Sequence, residues 1–195
     1  MWIYGASGHG KVILDCLLAN GTTVKGFIDD DEEKKSFMDY PVRRLNKVNL
    51  KKDKVILGIG DNFIRKSLSE SLNVNFRTVI HPSAVVSPNA VIGIGTVIIP
   101  QAVVNSGSKI GDHCIINTRA SVGHDCTIGD YVHIAPGVTI SGNVSVGPLS
   151  WIGAGATVVQ DVKIGNNVLI GAGSVVVRDI PDNSVAMGVP ARVVR

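Results

Sequence analysis

Two groups of residues in this 195-residue chain have the types and spacing that chemistry needs. The first is His124-Asp125, preceded by Gly123, with Gly142 eighteen residues further on. An imidazole takes a proton near neutral pH, and a neighbouring carboxylate makes it a better base. A glycine leaves its backbone N–H open to a developing oxyanion. Together they fit a reaction in which a nucleophile loses its proton while attacking a carbonyl. An isolated His124 would read as a solvated surface residue; Gly142 and Asp125 set it apart from His81 and His113, which read as surface or turn residues.

The second group lies near the start of the chain. Gly5, Gly8 and Gly10 in GASGHG allow a tight turn and the close approach of a phosphate to a helix N-terminus. The spacing is not the dinucleotide G-x-G-x-x-G, so NAD is not indicated. A structural tight turn is the plain alternative. Asp29 and Asp30 end a second apolar run and can hold ribose or sugar hydroxyls, or a substrate amine. His9 can donate to a phosphate or a sugar. A nucleotide-linked sugar satisfies all three features.

The elements that must position these groups differ between the two ends of the chain. From Ile80 to Val176 every sixth residue is Ile or Val, seventeen positions in all. Two residues ahead of each stands a small residue or Val, from Thr78 to Ser174. Neither an α-helix nor a long strand has this period; a hexapeptide parallel β-helix does, with three corners to a coil of eighteen residues. Gly follows the Ile/Val at several corners, where the chain must bend. Residues eighteen apart then stack at strand spacing, about 4.8 Å, which puts Gly142 over His124. It also aligns Ala135-Pro136-Gly137, Gly153-Ala154-Gly155 and Gly171-Ala172-Gly173 at one corner. The result is a shallow track with almost no side chains, where a long thin ligand such as pantetheine can lie. Tight corners that simply favour small residues are the alternative. His133 precedes the inward Ile134 and stacks under Trp151, either as packing or as a cofactor wall.

Residues 1–79 read as an α/β unit and residues 80–195 as the β-helix with a C-terminal tail that leaves the coil near Val177. In the first part, strands are expected at Trp2–Ala6, Val24–Ile28, Val55–Ile59 and Phe76–Ile80. Helices are expected at Lys11–Asn20 and Phe63–Leu72, and a charged irregular loop with short elements over residues 31–53. This order predicts a small Rossmann-like parallel sheet with ligands at the carboxyl ends of its strands.

Net charge is +3, and residues 80–195 hold six charges of each sign, so the excess lies in residues 1–79. No basic stripe interleaved with aromatics appears, so nucleic acid is not an expected partner. No apolar run reaches the length of a membrane span, and Met1 leads straight into WIYGA without the pattern of a signal peptide. The three cysteines are an odd number, and Cys114 and Cys126 fall in the inward register as core thiols. No histidine or cysteine spacing points to a metal.

GASGHG, the stretch NTRASVGHDCTIGDYVHIAPG within the hexapeptide repeat, and the ending GVPAR together resemble the bacterial sugar acetyltransferases grouped with sialic acid O-acetyltransferase. The likeness is strongest to the UDP-4-amino-sugar N-acetyltransferases of bacillosamine synthesis, and it covers the whole chain. The resemblance implies a left-handed coil, a cytoplasmic homotrimer, and acetyl-CoA in the groove between neighbouring solenoids. It implies His124 as general base, Asp125 as the acid that tunes it (commonly Glu in relatives), and His133, Ala154 and Ala172 against acetyl-CoA. Ser7, Gly8, His9, Asp29, Asp30 and Gly60 match the nucleotide-sugar site, and Asn117 a position near the sugar. The implied reaction is acetyl transfer to a sugar C4 amine by direct attack, without a covalent enzyme intermediate. Sugar O-acetylation is the nearest rival, and a non-catalytic trimeric scaffold that senses a nucleotide is a rival of another class. A hexapeptide nucleotidyltransferase would need a larger first domain than 79 residues.

Overall fold

A computed structural model describes residues 1–50 and 53–195. Lys51 and Lys52, within the expected 31–53 loop, lie outside the described residues. The first part is a sheet in the order β3-β4-β2-β1-β5-β6, formed by β1 (Trp2–Tyr4), β2 (Gly26–Ile28), β3 (Ser36–Phe37), β4 (Tyr40–Arg43), β5 (Lys54–Leu57) and β6 (Asn75–Phe76). Helix α1 (Gly8–Ala19) follows β1 and α2 (Asn62–Ser71) follows β5. Every pairing is parallel except the β3–β4 hairpin.

The segment expected as a charged loop with short elements supplies two strands of this sheet, β3 and β4. Val42 pairs with Phe27, and its neighbours Pro41 and Arg43 hid the strand among charges and a proline. Helix α1 starts inside the glycine motif rather than after it. Gly10 is forced to be glycine by packing, because a Cβ there would run into the carbonyl oxygen of Gly5.

The solenoid has three parallel faces. One runs through Val79, Val97, Ile115, His133, Trp151 and Leu169; the second through Val85, Val103, Ser121, Thr139, Thr157 and Val175; the third through Val91, Lys109, Thr127, Ser145 and Lys163. The register is eighteen residues, so Ile116, Ile134 and Ile152 stack directly. The inward positions are buried from Ile98 onward, while Ile80 at the open first coil is 37% exposed. The expected strand Phe76–Ile80 is in fact two. Asn75–Phe76 closes the first sheet, and Val79–Ile80 opens the solenoid.

The glycines after the inward Ile/Val are there for a different reason than bending. Gly123 does not hold a positive φ, but a Cβ on it would stand 2.6 Å from the backbone of Ser141 in the next coil. Coils approach too closely at these corners for a side chain.

The chain does not leave the solenoid at Val177. Ile180 bridges to Ile164, Val185 pairs with Leu169, and Ala186 is fully buried. Both pairs are sixteen residues apart, so the last coil is two residues short and falls out of phase with the repeat. A hairpin of Val185–Gly188 with Ala191–Val193 then closes this end.

The α/β part sits on the outer side of the first face. Val79, Val97 and Ile115 share one core with Ile3, Ile13, Leu14 and Leu17. Helix α2 is fixed by Arg65, which is 1% exposed. Its guanidinium donates to the carbonyls of His113 (2.7 Å), Tyr131 (2.9 Å), Gly60 (2.9 Å) and Ile59 (3.1 Å), and to Asn62 Oδ1 (2.7 Å). Burial lowers the Arg65 pKa to about 10, which leaves it charged at neutral pH. His113, read from the sequence as a surface residue, is buried at this junction. It stacks on Tyr131 at 5.6 Å and meets Phe76 edge-on at 4.7 Å. Among the described residues no helix is long and apolar enough to cross a membrane.

Candidate active site

The His124-Asp125 pair lies on the edge between the second and third faces. His124 Nδ1 is 2.8 Å from Asp125 Oδ2, so the shorter acid reaches the ring without help. Both side chains are open to solvent, at 70% and 67% exposure. With Nδ1 engaged by a carboxylate, Nε2 is the nitrogen free to accept a proton. Gly142 stands over the ring: a Cβ there would be 2.5 Å from Nε2 and 2.7 Å from Cε1. The backbone N–H of Gly142 has no acceptor among the described residues.

The small-residue track lies on a different edge, between the first and second faces. Gly137, Gly155 and Gly173 repeat one conformation, with φ of 68, 68 and 67, and a Cβ on any of them would meet nothing within 4 Å. Ala154 and Ala172 are exposed beside them. The glycine N–H groups are taken by carbonyls of the coil before, Gly155 by Pro136 and Gly173 by Ala154. Those of Ala154 and Ala172 have no acceptor among the described residues, which leaves two free donors along this edge.

Asn117 heads the same edge. Its Oδ1 accepts from the Thr118 N–H at 2.8 Å, so its Nδ2 is the group that meets His133 Nε2 at 3.0 Å. The His133 ring packs on Trp151 at 4.1 Å and faces His9 at 6.5 Å. The sequence allows His133 to be packing or a cofactor wall; it is 5% exposed and joins the two parts of the chain. Burial, then the Arg65 charge and His9, push the His133 pKa down to about 3. Burial, then Arg65, push His9 down to about 4. Both rings are neutral at neutral pH. His9 Nε2 and His133 Nδ1 are buried with no hydrogen-bond partner among the described residues.

At the carboxyl ends of the sheet strands, the glycines divide by role. Gly5 and Gly10 are crowded, whereas Gly8 and Gly60 have nothing within 4 Å of a Cβ position. Gly8 and exposed Ser7 follow β1, and Gly60 lies between β5 and α2, so both stand at the carboxyl ends of parallel strands. The two acids also divide. Asp29 accepts from the N–H groups of Ala6 (2.8 Å) and Asp31 (3.0 Å) and from Lys34 (3.1 Å). Burial alone would raise its pKa; those donors outweigh burial and hold it below the usual carboxyl range. Asp29 therefore shapes the glycine turn. Asp30 is exposed and accepts from Tyr4 Oη at 3.0 and 3.1 Å. Burial, then Asp30, raise the Tyr4 pKa to about 12. Tyr4 and Arg65 carried no signal in the sequence, since their partners lie far along the chain.

The PglD N-terminal domain family matches residues 1–72, and the bacterial transferase hexapeptide family (six repeats) matches residues 107–142 and 143–178. The acetyltransferase domain of PglB from Neisseria gonorrhoeae is 38% identical, with a TM-score of 0.93 over 99% of this chain and 98% of that one. The chain belongs to the bacillosamine-type sugar acetyltransferases. A perosamine N-acetyltransferase from Caulobacter crescentus, solved with CoA and GDP-perosamine, is also 38% identical, with a TM-score of 0.94 over 98% of this chain and 95% of that one. The UDP-N-acetylbacillosamine N-acetyltransferase of Bacillus subtilis is 42% identical over 103 residues, 48% of this chain and 48% of that relative. The match thus spans about half the length of this curated relative.

The chain has the left-handed β-helix of its hexapeptide family, the reverse of the hand that βαβ crossovers prefer. Within one copy, the dyad and the track stand on separate edges. The fold brings His9, His133 and Asn117 together and leaves His124 apart from them.

Proposed function

We propose that the chain is an N-acetyltransferase that moves an acetyl group from acetyl-CoA to the 4-amine of a nucleotide-linked amino sugar, and that it works as a homotrimer. The carrying observation is the placement of the dyad and the track on the two edges that bound one solenoid face. That second face presents Val85, Val103, Ser121, Thr139, Thr157 and Val175, with no charge among them. The first face is covered by the α/β part, and the third carries Lys109 and Lys163. Packing three copies through the uncharged face brings the His124 edge of one against the track edge of the next. Each site is then shared: His124, Asp125 and Gly142 come from one copy, and Asn117, His133, Ala154, Ala172 and the Gly8–His9 turn from its neighbour.

In this reading Ser7, Gly8, His9, Asp30 and Gly60 hold the nucleotide sugar, with Asp29 shaping the loop. Pantetheine lies along the track and takes hydrogen bonds from the Ala154 and Ala172 N–H groups. The sugar amine attacks the thioester carbonyl and forms the C–N bond as Nε2 of His124 takes its proton. The oxyanion is met by the Gly142 N–H, the C–S bond breaks, and the imidazolium returns its proton to the departing thiolate. No covalent enzyme intermediate is needed, because the amine is itself the nucleophile.

Two measurements test this. Acetyl-CoA consumption across UDP-, GDP- and dTDP-linked 4-amino sugars reads the acceptor and the base. Co-expression of His124→Ala with Ala154→Trp reads the shared site. Each variant alone should be nearly inactive, and mixed trimers should recover turnover at the one interface that has neither lesion. No recovery in mixed trimers of proven composition would place the site within one copy.

A further inference from the structure

On the edge that carries the dyad, the third corner position of successive coils is held by Asn89, Gly107, Asp125, Asn143 and Asp161. Asp125, Asn143 and Asp161 adopt φ of 58, 56 and 65 there, and Gly107 a similar 77. Asn and Asp enter this left-handed region more readily than other side-chain-bearing residues. The backbone therefore does not call for glycine at 107, since its own column holds the same conformation with side chains.

Space does call for it. A Cβ on Gly107 would fall on Oδ1 of Asp125, whose carboxylate fills the side-chain slot of the coil before it. The Asp125 N–H is tied to the Ser106 carbonyl at 3.0 Å, so the carboxylate cannot retreat by a backbone shift. Oδ2 of the same rigid group meets His124 Nδ1. Any rotation that takes Oδ1 out of the slot carries Oδ2 away from the imidazole. On the other side, the Asn143 N–H is tied to the His124 carbonyl at 2.8 Å, and Gly142 leaves room for the ring. Without such a seat, an exposed pair would be held only weakly by its own attraction.

We propose that Gly107 is a positioning residue for the general base: its empty side-chain slot seats the Asp125 carboxylate, which keeps the proton of neutral His124 on Nδ1 and leaves Nε2 free to accept one. This rests on the assignment of His124 as the base. The slot acts through Asp125, and Gly107 itself touches no reacting atom.

The test uses Gly107→Asn in the full chain. Asn keeps the corner conformation, as Asn143 does, and introduces the Cβ; because Asn143 Nδ2 donates to Asp161 Oδ1 at 2.8 Å one coil on, Gly107→Asp, which offers Asp125 no donor, is tested beside it and should show the same loss. We expect kcat to fall by on the order of 10- to 100-fold, with KM for both substrates within about 2-fold of the parent. In an Asp125→Ala background the same substitution should change kcat by less than about 2-fold, because nothing remains to be displaced. Equal losses in the two backgrounds would overturn the proposal. Ring-nitrogen NMR of His124 at alkaline pH supplies a readout that needs no turnover. The parent should show the Nδ1–H tautomer, and Gly107→Asn an averaged mixture. A parent-like tautomer in Gly107→Asn would overturn the proposal even if activity fell. If His124→Ala retained activity while the tautomer still responded, the base assignment would fail and the seating of Asp125 by Gly107 would stand.

Discussion

The imidazole of His124 lies against the α-carbon of Gly142, one coil above it, so closely that a methyl group there would stand 2.5 Å from Nε2. Gly142 is not in the left-handed region, so alanine fits its backbone. Gly142→Ala should fold and displace the ring. We expect kcat to fall by about 10²–10³-fold, the scale of losing one oxyanion donor or misplacing a base. His124→Ala should cost on the order of 10²–10⁴. Its exposed side chain holds no part of the core, so the thermal midpoint should stay near that of the parent. Steady-state kinetics beside a thermal melt check both, and parent-like turnover in either variant removes that residue from the chemistry.

Ile134→Asp tests the core. The side chain is fully buried between Ile116 and Ile152. An unpaired buried carboxylate costs several kcal/mol, comparable with much of a domain's stability. We expect loss of cooperative melting or a large drop in midpoint. Thr118, half-buried at a corner, should accept Ser with little change.

The two acids at the end of β2 should separate by stability. Asp29→Ala strands the N–H groups of Ala6 and Asp31 and should destabilise by about 1–3 kcal/mol, as well as raise KM for the nucleotide sugar. Asp30→Ala releases only Tyr4 and should raise that KM with little effect on stability. Acetyl-CoA affinity should be nearly unchanged in both, as titration calorimetry can show. Lost acetyl-CoA binding in a folded Asp30→Ala protein would mean the two ligand sites are wrongly divided.

Acid should loosen the junction between the two parts. His133 and His9 have folded pKa values of about 3 and about 4, below the ordinary value of 6.5. The unfolded chain therefore binds these protons first as pH falls. Their effect is absent above about pH 7 and destabilises progressively from about pH 6.5 down to about pH 3. At about 1.4 kcal/mol per unit, the loss reaches several kcal/mol for fully retained neutrality. Urea unfolding across this range should show a shallower acid slope for His133→Gln than for the parent. Parallel slopes would mean that His133 is not kept neutral in the folded protein.

Much of the solenoid was legible because it is local and periodic. A six-residue period fixes which side chains face inward, and eighteen residues to a coil fix which positions stack. Hence spacing alone puts Gly142 over His124 and aligns the Gly/Ala track. The His124–Asp125 contact joins adjacent residues and needs no tertiary information. Legibility ended where the period did. The last coil is sixteen residues long, so Ile180 and Ala186 looked like tail although both are core.

The sequence by itself determined the coil, its inward register, the order of the two parts and the residues able to do acid–base chemistry, because each follows from spacing along the chain. Only the tertiary structure decided where the α/β part sits. The buried Arg65, the edge-on contact of Phe76 with His113, and the facing of His9 and His133 all join residues more than a coil apart in the chain and out of register. No repeat encodes such contacts; they arise from the fit of one folded surface on another. The same holds for the two edges of the solenoid. Spacing told which residues stack on each edge, but the folded faces showed that the dyad and the track are separated within one copy.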